Sequence, residues 1–412
     1  MKYILIIGDG MADNPVPELD GRTPLEAAQK PHIDAVAAKS VLGSVLTVPV
    51  HQPPGSDTAI LSIFGCDPNR YFTGRSPLEA AGSGIRVNPG DVSYRCNMVT
   101  LEDGDMPFGE KRIFSHNAGS IEGQDSMEVI TWLFSDPEFR AAAEAIHMRV
   151  EPTPSFRHIA IQSGGDTRGM TATPPHDILG RKIGAYALHG SRNADQLWQL
   201  MELANRKLEH HPYNERRRSE GKLPANGIWF WAEGTAVQLP NFAETYGKRG
   251  SVISAVPLVH GIGALTGLRM VHVDGATGET ETNYEGKVQA AVDCLAGGDD
   301  FVCLHIEAPD EATHNGKLDE KILSIGYLDS RVVAPLMEKL DEAGFAYRIL
   351  LLSDHKTLTA TRTHDGDPVP FLIYDSTKPE PTGRSYTEAN GEKGPYVPDG
   401  TRLMGMLFEQ TK

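Results

Sequence analysis

Four short apolar runs constrain the fold of this chain more than any other feature. They are bounded by glycine, proline or aspartate and lie at 3–8, 301–307, 347–353 and 369–374. Helix-like stretches such as 23–38 and 321–344 lie between them. Short apolar runs without alternation are typical of strands buried on both faces, and their separation by helices indicates parallel β-α units. The predicted fold class is therefore α/β.

The middle of the chain differs from both ends in its sequence pattern. It begins after the segment SPLEAAGSGI, contains a long polar helix candidate at 193–211, and ends near the segment GLRMVHVDGATG. At 412 residues the chain is long enough for more than one domain. This pattern predicts a domain inserted into a sheet-forming core. We assign residues 1–85 and 272–412 to the core and residues 86–271 to the insert.

Composition excludes several classes of partner. The net charge of -16 argues against nucleic acid or an anionic membrane surface as a partner. The 4 cysteines never form a C-x-x-C pair, so neither a disulfide framework nor a thiolate zinc site is indicated. No stretch approaches the roughly 18 apolar residues of a membrane span, and the N-terminal run is too short for a signal peptide. We therefore expect a cytoplasmic protein, and the sequence leaves its oligomeric state open.

Residues that can bind a metal ion follow the predicted strands. They are Asp9 after the first run, Asp310 and His314 after the second, Asp354 and His355 after the third, and His364 before the fourth. One aspartate after a strand is more often a helix N-cap, but ligands gather beyond the carboxyl ends of parallel strands. We therefore expect these residues to lie together. Their mixed oxygen and nitrogen donors suit Zn²⁺ or Mn²⁺, and two divalent ions close together could share them with a serine.

That serine is Ser56, between a Pro-Pro-Gly turn and the predicted first turn of a helix. On local sequence alone a plain N-cap is the commoner role for such a serine. A helix N-terminus also favours a phosphate on the serine oxygen, through backbone N–H groups and the helix dipole. A metal ion on the hydroxyl would ease loss of its proton near neutral pH. The predicted ligands nearby favour a nucleophile.

Three other functions agree less well with the sequence. The segment GDGMAD begins like a dinucleotide-binding fingerprint, but Asp13 occupies the position of the third glycine. A metal-independent serine hydrolase could use Ser56 with Asp354 and His364, but the G-x-S-x-G elbow is missing. Such a triad would also leave Asp9, Asp310 and His314 without a role. A small-molecule binding protein without activity is a further alternative.

Several segments together resemble the cofactor-independent phosphoglycerate mutases of the archaeal type, members of the alkaline phosphatase superfamily. They are GDGMAD, TPLEAA, PPGSD, TGRSPLEAAGSGI, DGATGETETNYEGK, APDEATH, SDH and THDGDPVP. The resemblance covers nearly the whole chain. It implies an alkaline-phosphatase-like, mostly parallel sheet flanked by helices, with a smaller inserted α/β cap domain that binds substrate. It also implies a glycolytic isomerase that interconverts 2- and 3-phosphoglycerate through a phosphoserine, with a small phosphorylated metabolite as its partner.

The resemblance also implies roles for individual residues. The ligands of the two metal ions would be Asp310, His314 and His364 for one, and Asp9, Asp354, His355 and the Ser56 oxygen for the other. Ser56 would be transiently phosphorylated. Lys287, in NYEGK, would offset charge on the transferring phosphoryl group, although a lysine on a helix is commonly just exposed. Two divalent ions are expected as cofactors, Mn²⁺ first, with Zn²⁺ or Mg²⁺ as alternatives.

The predicted cap departs from the family pattern. Where relatives carry an arginine-rich stretch similar to DRRAGR, this chain has SHNAGS at 115–120, and Trp231 stands where a second arginine is typical. Each charge-assisted hydrogen bond contributes about 1.5–3 kcal/mol, so these losses would weaken binding of phosphoglycerate. Arg157, His176 and Asp177 are the predicted substrate contacts. A bacterial branch of proposed homoserine kinases resembles the chain more closely at NGIWFWAEG, so a homoserine kinase or other small-molecule phosphotransferase is the alternative function.

Overall fold

The structure, a computed structural model, describes residues 1–409 and divides the chain into two compact units. The first unit comprises Met1–Phe72 and the residues from Gln238 onward, and the second comprises Thr73–Val237. Within the described residues, no helix combines the length and the apolar composition needed to cross a membrane.

The secondary structure of residues 1–409 alternates strands with mostly short helices. The strands are β1 (Lys2–Gly8), β2 (Val41–Val45), β3 (Asp91–Leu101), β4 (Ile113–Ser115), β5 (Met148–Glu151), β6 (Arg157–Ser163), β7 (Gly227–Thr235), β8 (Gly250–Ile253), β9 (Arg269–Val271), β10 (Phe301–Ile306), β11 (Tyr347–Leu352), β12 (Lys356–Leu358), β13 (Thr363–Asp365), β14 (Val369–Asp375) and β15 (Tyr396–Val397). The helices are α1 (Pro24–Ala27), α2 (Pro31–Ala37), α3 (Ser56–Ile63), α4 (Pro68–Tyr71), α5 (Arg75–Gly82), α6 (Gly123–Ser135), α7 (Pro137–Ala145), α8 (Arg192–Leu208), α9 (Pro212–Ser219), α10 (Phe242–Tyr246), α11 (Pro257–Leu265), α12 (Tyr284–Ala296), α13 (Ala308–His314), α14 (Leu318–Tyr327), α15 (Ala334–Glu342), α16 (Glu388–Gly391) and α17 (Leu403–Leu407).

The first unit is built on an 8-stranded sheet in the order β15-β2-β14-β11-β1-β10-β8-β9. The central strand β1 pairs in parallel with both neighbours, so that Ile4 lies opposite Val302 on one side and Ile349 on the other. β10 pairs in parallel with β8, and β8 with β9. Side chains on both faces of β1, β10 and β11 are buried, as expected for strands covered by helices on both faces. The predicted α/β fold with a mostly parallel sheet is confirmed.

Two strands of this sheet run in directions that determine where the site lies. β14 is antiparallel to β11, and β2 is antiparallel to β14. The carboxyl end of β2 therefore lies at the same edge as those of β1, β10 and β11, whereas β14 begins at that edge. The loop before α3 and the β12-β13 hairpin before β14 thus reach the same edge as the loops that follow β1, β10 and β11.

The predicted helical stretch at 23–38 forms two helices instead of one. α1 ends at Ala27 and α2 begins at Pro31, which occupies the first helical position. A proline there lacks the N–H that would continue the preceding helix, and it disfavours helical geometry at Lys30. The extended conformation of Ala28 and the non-helical dihedrals of Lys30 are consistent with this break.

The second unit is built on an antiparallel 5-stranded sheet with β3 at its centre. β3 pairs with β6 on one side, and β7 and β4 pair with successive stretches of β3. The predicted polar helix at 193–211 is α8, whose apolar side chains pack on β7. They are Leu197, Leu200, Met201, Ala204 and Leu208.

The predicted domain boundaries, 85/86 and 271/272, differ from those of the two units. Helix α5 packs on β3 and β7 in the second unit, where Glu79 accepts a hydrogen bond from the buried Arg95. β8 and β9 extend the large sheet beside β10, with Gly250 opposite Phe301. Sheet membership therefore joins the residues from Gln238 onward to the first unit.

Candidate active site

The predicted metal ligands and Ser56 all lie at one edge of the large sheet. Asp9 follows β1, and Asp354 and His355 follow β11. Asp310 and His314 stand one turn apart on α13, after β10. His364 is carried by β13, and Ser56 is the first residue of α3. The convergence expected from the strand ends is present in the first unit.

Ser56 and two carboxylates face the same nitrogen of His355. Ser56 Oγ lies 3.1 Å from His355 Nε2, and Asp354 Oδ2 and Asp9 Oδ1 lie 3.3 and 3.7 Å from it. The other ring nitrogen, Nδ1, lies 3.2 Å from the carbonyl oxygen of Lys356, which can only accept a hydrogen bond. The proton of the neutral ring is therefore on Nδ1, and Nε2 presents a lone pair to the carboxylates.

The carboxylates of Asp9 and Asp354 each have one buried oxygen without a hydrogen-bond partner, Oδ1 of Asp9 and Oδ2 of Asp354. Asp354 Oδ1 accepts hydrogen bonds from the backbone N–H groups of Gly10 and His355. Burial, together with the charges of Asp354 and Asp310, raises the pKa of Asp9 well above its usual range. Unpartnered buried oxygens are costly. Their convergence with an imidazole lone pair fits a divalent cation.

A second set of side chains lies beside the first. His314 Nε2 is 3.2 Å from Asp310 Oδ2 and 2.9 Å from His364 Nε2, and His364 Nε2 is 3.5 Å from Asp310 Oδ1. His314 Nδ1 lies 2.8 Å from the carbonyl oxygen of Arg362, which directs Nε2 toward Asp310. The hydrogen bond to Asp310 raises the pKa of His314 to about 9. At neutral pH a proton therefore bridges these two side chains, where a cation could also bind.

The two sets adjoin through His355, whose ring lies 4.3 Å from that of His364. Ligand atoms lie within 4.8 Å of one another in the set Asp9, Asp354 and His355 and in the set Asp310, His355 and His364. Their oxygen and imidazole donors suit Mn²⁺ or Zn²⁺. This arrangement can hold metal ions next to a serine hydroxyl.

Comparison with known proteins identifies the family. A family model described as 2,3-bisphosphoglycerate-independent phosphoglycerate mutase matches residues 37–214. A protein of Geobacter sulfurreducens, named a probable 2,3-bisphosphoglycerate-independent phosphoglycerate mutase, is 43% identical over 415 residues and covers 100% of both chains. The chain belongs to this family. The predicted resemblance is confirmed, and the chain is an enzyme of the alkaline phosphatase superfamily.

Solved structures agree with this assignment. A protein from Pyrococcus horikoshii has a TM-score of 0.80 and 29% identity, covering 100% of this chain and 98% of that chain. The cofactor-independent phosphoglycerate mutase from Thermoplasma acidophilum has a TM-score of 0.62 and 27% identity, covering 99% of both chains. Mutases of this family are metal-dependent, which agrees with the two sets of side chains that can hold a metal ion.

The alternative hydrolase triad is not supported by the geometry of the mutase-family site. In a Ser-His-Asp triad the serine and the aspartate bind opposite nitrogens of the imidazole. The predicted triad uses His364, but His364 Nε2 faces His314 and Asp310, and the imidazole 3.1 Å from Ser56 Oγ is that of His355. Ser56 and Asp354 approach the same nitrogen of His355, and the opposite nitrogen faces a backbone carbonyl. Such a ring cannot pass a proton from Ser56 toward Asp354.

Lys287 is buried rather than exposed on its helix. It lies in the first turn of α12, and its Nζ donates a hydrogen bond to the carbonyl oxygen of His305, 3.1 Å away. Burial lowers the pKa of Lys287 to about 8, against the opposing charge of Glu307. The Lys287 side chain is therefore mostly protonated at neutral pH, and it loses its proton at slightly higher pH.

The predicted substrate contacts lie in the second unit. The His176 ring is 5.3 Å from the Trp231 ring and 5.9 Å from the His116 ring. Arg157 extends over the Phe156 ring. Burial of His116 lowers its pKa, and the positive charge of Arg157 lowers it further. Asp177 is exposed beside His176, with 3.7 Å between carboxylate and ring. The structure therefore brings Arg157 and His176 together around His116, one of the residues of SHNAGS.

Sequence reasoning missed His305 and Ser254. His305 Nε2 lies 2.9 Å from Asp9 Oδ2, and Ser254 Oγ lies 3.1 Å from the other ring nitrogen. Burial lowers the pKa of His305 to about 3, so the ring is neutral. The sequence carries a signal for His305, because it interrupts the apolar run FVCLHI with an imidazole. A histidine inside a buried strand must find a partner.

Proposed function

We propose that this chain is a metal-dependent phosphoglycerate mutase that interconverts 2- and 3-phosphoglycerate through a phosphoserine on Ser56. The observation that carries the proposal is the convergence on His355 Nε2 of Ser56 Oγ and of two carboxylates with unpartnered oxygens. The full-length likeness to a protein named as a probable mutase supports the reaction. The reaction would be a step of glycolysis.

Two divalent ions are the proposed cofactors. Asp9, Asp354, His355 and Ser56 would hold one ion, and Asp310, His314 and His364 would hold the other. Bound there, the cations would supply positive charge to the transferring phosphoryl group and lower the pKa of the hydroxyl. We infer Mn²⁺ first, because four of these seven ligands are oxygen donors, with Zn²⁺ or Mg²⁺ as alternatives.

Ser56 is proposed as the nucleophile. Its oxygen forms a bond to phosphorus as the bond between phosphorus and the glycerate oxygen breaks. Asp9 Oδ2, 3.4 Å from Ser56 Oγ, is the carboxylate oxygen placed to take the hydroxyl proton, which passes to the departing glycerate oxygen. Attack of the other glycerate hydroxyl on the phosphoserine reverses these steps and restores Ser56.

Lys287 is proposed to offset negative charge that develops during the transfer. Its ammonium is buried under β10, next to the strand that carries Asp9. A charge in a desolvated position interacts more strongly with a nearby phosphoryl group than an exposed charge does. In a protein with a net charge of -16, such local positive charge is needed to bind an anion.

The second unit is proposed as the substrate-binding cap. Arg157 and His176 would bind the anionic groups of phosphoglycerate, and Asp177 would accept a hydrogen bond from its hydroxyl. This assignment is supported by the position of Arg157 and His176 in one patch with His116 and Trp231. Imidazoles bind anions less strongly than the guanidinium groups typical of the family, since imidazole is only partly charged at neutral pH.

A homoserine kinase or related phosphotransferase is the second candidate. Trp231 Nε1 donates to Asn97 Oδ1, and Asn97 Nδ2 donates to the carbonyl oxygen of His116. Neutral groups therefore occupy much of this patch, which favours a substrate with fewer negative charges than phosphoglycerate. We place either enzyme in the cytoplasm, because the cysteines of the described chain, Cys66, Cys96, Cys294 and Cys303, are free and buried.

One experiment tests both candidates. Metal-depleted protein is reloaded with Mn²⁺ and assayed side by side for phosphoglycerate interconversion and for ATP-dependent phosphorylation of homoserine. Ser56→Ala is expected to abolish activity, whereas Ser62→Ala, which removes a buried hydroxyl from the same helix, should retain it. Labelling of Ser56 from phosphoglycerate supports the mutase, and labelling only from ATP supports the kinase. Activity that survives complete metal removal contradicts both.

A further inference from the structure

A buried hydrogen-bonded chain extends from Asp9 away from the metal ligands. His305 lies near the carboxyl end of β10 and is 0% exposed. Its Nε2 contacts Asp9 Oδ2 at 2.9 Å, and its Nδ1 contacts Ser254 Oγ at 3.1 Å. Asp9 and Ser254 follow the flanking strands β1 and β8. Three adjacent strands therefore each contribute one member of the chain.

The direction of each hydrogen bond follows from the Asp9 carboxylate, whose ionised oxygens can only accept, so the proton of the neutral His305 ring is on Nε2 and its Nδ1 accepts. The backbone N–H of Val256 donates to Ser254 Oγ at 3.0 Å, and a backbone N–H can only donate. The Ser254 hydroxyl hydrogen is then directed to His305 Nδ1. A neutral imidazole that accepts at Nδ1 carries its proton on Nε2. The N–H at Nε2 therefore donates to Asp9 Oδ2.

This hydrogen bond makes the two oxygens of Asp9 unequal. Oδ2 accepts from His305, whereas Oδ1 is buried without a hydrogen-bond partner and lies 3.7 Å from His355 Nε2. An unrestrained carboxylate can rotate about its Cβ–Cγ bond and exchange its oxygens. A fixed N–H donor on Oδ2 opposes that rotation and keeps Oδ1 directed toward His355.

We propose that His305, with Ser254 behind it, is a positioning residue that orients the Asp9 carboxylate for metal binding. The inference rests on the proposed function, because Asp9 must be a metal ligand for its orientation to matter. Partners of this kind typically change metal affinity by about 10- to 100-fold when they are removed. His305 is not among the proposed metal ligands or substrate contacts, so its effect is expected on metal affinity before it is seen in turnover.

The test is Mn²⁺ binding to the metal-depleted full chain, followed by the electron paramagnetic resonance signal of free Mn²⁺. His305→Met fills the space but donates no hydrogen bond, and it should weaken the binding of one Mn²⁺ about 10- to 100-fold. His305→Gln can place an amide N–H near the position of Nε2 and should restore binding to within a few-fold of wild type. Ser254→Ala should weaken binding less than His305→Met, since the ring remains.

The control is Ser251→Ala, which removes a buried hydroxyl from β8 that bonds to Asp299 instead of His305. It should bind Mn²⁺ like the wild type. Equal Mn²⁺ affinity in the wild type and in folded His305→Met overturns the inference. If His305→Met does not fold, wild-type affinity in Ser254→Ala overturns it instead. A wild type that binds no Mn²⁺ at all contradicts the proposed function itself, so the two failures are distinguishable.

Discussion

Replacing Asp9 with asparagine is expected to stabilise the metal-free protein and abolish its stabilisation by Mn²⁺. In the wild type, Asp9 Oδ1 is buried without a hydrogen-bond partner, and Asp354 Oδ2 and the lone pair of His355 Nε2 lie nearby. An asparagine can keep its oxygen on the His305 N–H and direct its NH₂ group toward these acceptors. A hydrogen-bond donor then takes the place of a cation.

The size of the effect follows from the groups involved. An unpartnered buried acceptor costs about 1–3 kcal/mol, and in a domain of roughly 150–250 residues each kcal/mol shifts Tm by about 2–4 °C. Metal-free Asp9→Asn should therefore unfold roughly 2–12 °C above metal-free wild type. Mn²⁺ at about 100 times its Kd stabilises the wild type by about 2.7 kcal/mol, or roughly 5–10 °C. The variant should lose most of that shift.

The assay is thermal unfolding of both proteins with chelator and with Mn²⁺, and Asp13→Asn is the matched control. Asp13 is also a buried carboxylate, but Lys321 Nζ donates to it at 2.9 Å. Breaking a buried pair costs about 3–5 kcal/mol, so Asp13→Asn should lower Tm and still respond to Mn²⁺. A metal-free Asp9→Asn that unfolds below the wild type, or that keeps the full Mn²⁺ shift, refutes the reasoning.

The same substitution has a pH signature. The folded-state pKa of Asp9 is raised by burial and by the charges of Asp354 and Asp310, so above its unfolded pKa the folded state binds more protons than the unfolded state. The contribution of Asp9 to stability is therefore present at low pH and lost as the pH rises through its folded pKa. Metal-free wild type should lose this contribution on going to higher pH, and Asp9→Asn should not.

Two further predictions concern the phosphoryl group and the cap. The ammonium of Lys287 is lost as the pH rises through about 8, so kcat/KM of the wild type should fall above that pH. Lys287→Arg should move this fall in kcat/KM to higher pH. Lys287→Met should lower kcat about 100-fold across the pH range. Removal of a charge-assisted hydrogen bond costs about 1.5–3 kcal/mol, so Arg157→Ala should raise KM for phosphoglycerate roughly 10- to 150-fold with little change in kcat. The control is Arg168→Ala, which removes an exposed arginine paired with Asp166 in the same unit and should change neither KM nor kcat. An unaltered KM in Arg157→Ala would falsify the assignment of Arg157 as a substrate contact.

Much of the first unit could be predicted because its strands are short apolar runs that end in ligand-type residues. Asp9, Asp310 and Asp354 each follow such a run, and the carboxyl ends of parallel strands share one edge. The direction of β14 could not be predicted in this way. Apolar runs do not encode whether a neighbour is parallel or antiparallel, and it is the reversed direction of β14 that brings His364 to the same edge.

Other parts of the site depend on packing that one sequence does not display. The burial of Lys287 reflects the seating of α12 against β10 and β8. The meeting of His116 and His176 joins segments far apart in the chain through the sheet of the second unit. The predicted insert, 86–271, includes β8 and β9, and only their pairing beside β10 shows that they belong to the large sheet.

The contrast between Asp9 and Asp13 explains how an acidic protein can hold an anionic substrate. Both carboxylates are buried, but the chain supplies Asp13 with its own cation, Lys321, and offers Asp9 neutral donors, the N–H of His305 and the hydroxyl of Ser56. A neutral donor orients the Asp9 carboxylate without cancelling its charge. The charge that remains could be balanced by divalent cations bound beside it. In the proposed function, divalent cations bound there would carry more positive charge than one carboxylate can cancel, so they would leave a local positive field at Ser56 in which a phosphoryl group could bind.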